Sequence, residues 1–86
     1  MDVLIGHDAA NYLKRLGKPT KSRIKASIVN LAKNPPEGDI KKLSGMDGYR
    51  ARVGGLRILF KITGNIVKIH SIVPRGQAYS KKEKRK

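Results

Sequence analysis

The chain has 86 residues, 38% of them hydrophobic, with no cysteine and a formal net charge of +14. That supports one modest core, so a single domain over 1–86 with a basic tail from about residue 80 is expected. Disulfide frameworks and thiolate chemistry are excluded. No apolar run reaches membrane-span length and the N-terminus has no signal-peptide pattern, so a cytoplasmic protein with no membrane partner is expected.

The charge is uneven. Residues 1–40 hold 7 basic and 4 acidic side chains, whereas residues 41–86 hold 13 and 2. Such an imbalance favours RNA, DNA or an acidic protein as partner over a membrane surface. Aromatic residues are few, three Tyr, one Phe and no Trp, which argues against a base-stacking platform.

Taken in chain order, Val3-Leu4-Ile5 before Gly6 reads as a first strand. Asp8 is the expected N-cap of a helix whose apolar stripe is Ala9, Tyr12, Leu13 and Leu16, ended by Gly17. Pro19 suits the first turn of a second helix with Ile24, Ile28, Leu31 and Ala32 facing inward. Lys21, Arg23, Lys25 and Lys33 face water, and Pro35-Pro36 stops the helix. The two helices form a hairpin. Glu37 to Gly48 reads as connection anchored by Ile40 and Leu43. Strands follow at 49–53, 56–63 and 66 to about 73, joined by Gly54-Gly55 and Gly64-Asn65 as two-residue turns. Gly76 to Lys86 is a basic tail with room for one helical turn around Tyr79. The fold class is α+β, with the N-terminal strand and helical hairpin packed on one face of a small, mainly antiparallel sheet.

The turns fix a register. With Gly54-Gly55 as the loop, Val53 pairs with Leu56 and Arg52 lies opposite Arg57. Side chains alternate along a strand. Tyr49, Ala51, Val53, Leu56, Ile58 and Phe60 then share the buried face, while Arg50, Arg52 and Arg57 share the other. Like charges placed opposite one another destabilise a sheet, so an anion is the natural missing partner. Across the next turn, Val67 faces Ile62, Ile69 faces Phe60, Lys68 faces Lys61, His70 faces Leu59 and Ile72 faces Arg57. The open face should therefore form a cationic shallow bowl of Arg50, Arg52, Arg57, Lys61, Lys68 and His70, with Arg75 at its edge.

Each feature has an ordinary explanation. The arginines could be a solvated basic face, but arginine offers a planar fork matched to phosphate oxygens, and strand pairing makes these three converge. A lone strand histidine is usually a surface residue; on this face His70 would serve as a general base near neutral pH. His7, beside Asp8, reads as structural. Two histidines without cysteine or an acidic cluster make no metal site, and no cofactor is expected. Neither a Gly-rich phosphate loop nor a Ser/His/Asp arrangement is readable.

The chain resembles the RelE/ParE toxins of bacterial toxin–antitoxin pairs. The likeness covers nearly all of it: the strand and helical hairpin, Lys33-Asn34-Pro35-Pro36, Lys42-Leu43-Ser44-Gly45, Gly48-Tyr49-Arg50-Ala51-Arg52-Val53, Leu56-Arg57-Ile58-Leu59-Phe60 and the Arg75-to-Tyr79 element. The resemblance implies a microbial-ribonuclease-like fold and one of two activities. The RelE branch looks like ribosome-dependent mRNA endonucleases; the ParE branch poisons DNA gyrase. Both are held inactive by an antitoxin.

The family's nuclease positions fall on Arg50, Arg52, Arg57, Arg75 and Tyr79. The RelE pattern often has lysines where Arg50 and Arg52 stand here, and arginine does not give up its proton, so His70 is kept as a base. The implied mechanism is metal-free attack of the RNA 2′-hydroxyl on the adjacent phosphate. Arg57 and Arg75 would hold the scissile phosphate, Arg50 and Arg52 a flanking one, and Tyr79 would position the base or assist proton transfer. Lys61 and Lys68 would bind RNA. The implied partners are an acidic antitoxin and mRNA on the ribosome. The toxin alone is expected to be a monomer, with oligomers open to the antitoxin complex. The alternative is a ParE-like gyrase poison or a non-catalytic nucleic-acid-binding protein.

Overall fold

The computed structural model describes residues 1–45 and 47–74. The Arg75–Tyr79 element and the basic tail lie outside the described residues. Strand β1 (Asp2–Ile5) leads into helices α1 (His7–Arg15) and α2 (Lys18–Leu31). Four strands follow, β2 (Asp39–Lys42), β3 (Tyr49–Val53), β4 (Leu56–Thr63) and β5 (Ile66–Pro74). They form one five-stranded sheet in the order β1-β5-β4-β3-β2. Among the described residues the β1–β5 pair is parallel and the other pairs are antiparallel. The expected α+β architecture is the one observed.

Topology follows from the short turns. From β1 at one edge, the helices carry the chain over one sheet face to the opposite edge, where β2 begins. The strands then return by successive antiparallel steps until β5 meets β1. In the β3–β4 turn Gly54 has φ +60° and Gly55 does not share it, the type II′ pattern whose twist suits a hairpin. That turn delivers the expected Val53–Leu56 and Arg52–Arg57 pairs.

The core lies on one side. Ile24, Ile28 and Leu31 of α2 and Ala9 of α1 are buried with Ala51, Ile58, Phe60, Val67, Ile69 and Ile72 of the sheet. α1 lies over β5 and α2 over β3. Each fully buried Ile, Leu or Phe contributes about 1.5–3 kcal/mol relative to exposure. Phe60 also stacks on Tyr49 with ring centroids 5.5 Å apart.

Three expectations are corrected. Gly6, not Asp8, is the N-cap of α1; Asp8 sits in the first turn, where a negative charge complements the helix dipole. The connection from Glu37 contains a strand: β2 pairs with β3, turning Ile40 toward the core opposite Ala51. The β4–β5 ladder slips at a bulge between Leu59 and Phe60. Leu59 therefore faces Ser71, not His70, and Arg57 faces Val73, not Ile72. One extra residue in a strand shifts every later side chain to the other face, which is why Ile72 is 2% exposed in the core.

Candidate functional site

The sheet face away from the helices is organised in cross-strand rows. The first runs Asp39, Arg52, Arg57, Val73, and the second runs Lys41, Arg50, Leu59, Ser71. Neighbouring strands lie about 4.8 Å apart, and successive same-face residues on one strand about 6.7 Å. Arg50, Arg52 and Arg57 thus gather at one corner, as the turn chemistry requires. Lys61 and Lys68 pair with each other farther along β4 and β5, on the far side of the Leu59 row. They sit roughly 13 Å along β4 from Arg57 at that strand rise. The bowl divides into an arginine corner and a separate lysine pair. Lys61 is itself engaged by Asp47, 3.4 Å away.

His70 is the extra residue at the bulge, exposed and outside the ladder rows. Its expected place across from Leu59 belongs to Ser71. Arg75 and Tyr79 fall outside the described residues. Among the described residues no group of His, Asp and Glu could hold a metal ion, and no helix is long and apolar enough to cross a membrane.

The residue that sequence reasoning missed is Asp39. The Arg52 Nε–H donates to its Oδ2 at 3.0 Å, and its Oδ1 lies 3.9 Å from Nη1 of Arg50. One carboxylate thus bridges both arginines of β3, supplying part of the counter-charge the register demanded. The hydrogen bond from Arg52 holds the Asp39 carboxyl below the usual carboxylate range. The charges of Arg52, Arg50 and Lys41 add to this, against a partial desolvation that pushes the other way. Arg50 is tightly enclosed, with 11% of its side chain exposed. Its Nη1 is buried without a hydrogen-bond acceptor among the described residues. The available signal was Ile40: one apolar residue between Asp39 and Lys41 is the alternation of a short edge strand.

Gly48 frames the other end of β3. Its φ is +133°, and a Cβ there would meet the Phe60 carbonyl oxygen at 3.0 Å. Its carbonyl accepts the Leu43 N–H at 2.9 Å, closing the β2–β3 connection.

A family model described as the ParE toxin of type II toxin–antitoxin systems, parDE, matches residues 3–79. The chain belongs to this toxin family. Its fold is also that of solved RelE structures. The RelB–RelE antitoxin–toxin complex of Methanococcus jannaschii is similar at 27% identity and TM-score 0.73, over 91% of this chain and 96% of that one. The RelE–RelB complex of Pyrococcus horikoshii OT3 is similar at 29% identity and TM-score 0.70, over 90% and 97%. The isolated E. coli RelE toxin, at 23% identity, shares the fold with TM-score 0.73 over 98% and 96%. No curated protein sequence matches the chain. The protein is thus a type II toxin of the RelE/ParE superfamily, and its arginine corner lies on the sheet face that the toxin's helices leave uncovered.

Proposed function

We propose that this toxin is a metal-independent endoribonuclease that cuts mRNA on the ribosome and so inhibits translation. The observation that carries the reading is the arginine corner: Arg52 opposite Arg57 with Arg50 one row away, on the face opposite the helices. RNA brings its own nucleophile. The 2′-oxygen forms a bond to phosphorus as the bond to the 5′-oxygen breaks; one proton leaves the 2′-hydroxyl and another must reach the departing oxygen. Fixed guanidinium donors aimed at the phosphorane stabilise the charge that develops there. Arg57 and Arg75 are assigned to the scissile phosphate, Arg50 and Arg52 to a flanking one, and Tyr79 and His70 to proton transfer. Lys61 and Lys68 extend the attraction along the RNA strand. The ribosome supplies the substrate geometry, since misplaced reacting groups forfeit much of the rate.

An acidic antitoxin is the proposed protein partner. The formal charge of +14 calls for a polyanion, and similar solved structures are antitoxin–toxin complexes. A second reading, a gyrase poison, is favoured by one observation: the matching family model is that of ParE toxins. Inducing the toxin and mapping transcript 5′ ends separates the two. New ends within translated messages, periodic with the codons, are expected. Intact messages with an induced DNA-damage response would favour gyrase and remove the nuclease.

A further inference from the structure

Asp39 occupies an unusual position for an acidic residue in so basic a chain. It stands at the end of the row that holds Arg52 and Arg57, on a four-residue edge strand. Its two oxygens address two different guanidinium groups, Oδ2 to Arg52 Nε and Oδ1 toward Arg50 Nη1. That is the arrangement two non-bridging oxygens of a phosphate would adopt between the same arginines. The fit is incomplete on one side: at 3.9 Å, Oδ1 lies beyond hydrogen-bond reach of the buried Arg50 Nη1. A ligand oxygen that came closer would satisfy a donor that Asp39 leaves waiting. The Asp39 side chain is 53% exposed, so a rotation about χ1 can carry it into solvent.

We propose that Asp39 is a built-in counter-anion seated where a ligand phosphate binds between Arg50 and Arg52, and that it limits the anion affinity of this face because it must vacate that seat. This rests on the reading that the arginine corner takes phosphate, but not on cleavage. In the empty toxin Asp39 holds Arg52 in place and relieves the repulsion between opposed arginines. On binding, one ion pair is exchanged for another, so the net gain is smaller than the number of arginines implies.

The test uses the full chain and a fluorescent thymidine 12-mer, which has phosphates but no 2′-hydroxyl and cannot be cut by the proposed route. Its affinity is measured across a salt series for wild type and three variants. Asp39→Asn removes the charge and nearly keeps the shape. It should bind about threefold to fivefold more tightly, the scale of one exposed ion pair. Its log–log salt slope should steepen by about 0.7, since no vacated carboxylate takes up a cation to offset the counterion that the seated phosphate releases. Asp39→Glu, which keeps the charge, should remain near wild type. Glu37→Gln makes the same change in net charge at the Lys33–Glu37 pair, which is outside the rows of the sheet, and should leave the slope unchanged. The proposal is overturned if Asp39→Asn matches wild type in affinity and slope, or if Glu37→Gln tightens binding as much. Failure of the nuclease reading would appear separately, as intact messages in the end-mapping experiment.

Discussion

Asp39 and Arg52 meet because β2 and β3 place them opposite one another, and their contact has a pH signature. The folded pKa of Asp39 is lowered by the hydrogen bond from Arg52 and then by the surrounding cations. A lowered carboxyl stabilises the fold above its unfolded pKa, and that contribution is lost as pH falls through the folded value. In a carboxyl NMR titration, Asp39 should titrate at lower pH in wild type than in Arg52→Ala. Equal midpoints would mean that the ion pair does not persist in solution. Arg52 and Arg57 were legible as neighbours from Gly54-Gly55 alone, since a two-residue turn leaves no freedom in the pairs beside it. The pairing of Asp39 with Arg52 was not legible, because the residues between Asp39 and Tyr49 give no turn length from which to count.

At the scale of elements, period-two alternation made β3, β4 and the first half of β5 readable, and the helices announced themselves through Ala9, Ile24, Ile28 and Leu31. β2 was hidden because three of its four residues are charged. The bulge was visible only indirectly. Val67 and Ile69 are two apart, but the next core residue, Ile72, is three further on. Strict alternation would have set that isoleucine among the arginines, a conflict that an inserted residue resolves. Ile72→Ala should therefore cost about 2–5 kcal/mol in urea denaturation, as for other buried isoleucines. A loss within about 0.5 kcal/mol, usual at exposed positions, would return Ile72 to the open face and remove the bulge.

For the whole molecule, the helices spend their apolar stripes on one sheet face, so the other face is left uncovered by them. The charge distribution then decides what that face attracts. Residues 41–86 hold 13 of the basic side chains, and they include all three arginines of the corner. A positively charged surface of this kind suits an acidic segment that orders as it wraps the toxin. Co-expression with an adjacent antitoxin reading frame should yield a pair that co-purifies and loses growth arrest; a toxin that purifies alone and stays toxic would contradict that partner. The α+β class and the family were legible in the order of weak motifs along the chain. The division of the basic face into an arginine corner and a lysine pair was not, because it depends on how rows line up across strands.

The arginine corner is proposed to drive 2′-hydroxyl attack on RNA. Purified toxin should be added to ribosomes stalled on a defined message, beside a folded Arg57→Ala variant, and the termini of the products identified. Wild type should give 5′-hydroxyl ends opposite 2′,3′-cyclic phosphates, and Arg57→Ala should give about a hundredfold less product, the scale of losing one transition-state donor. Intact message, ends bearing a 5′-phosphate, or an Arg57→Ala variant as active as wild type would contradict it.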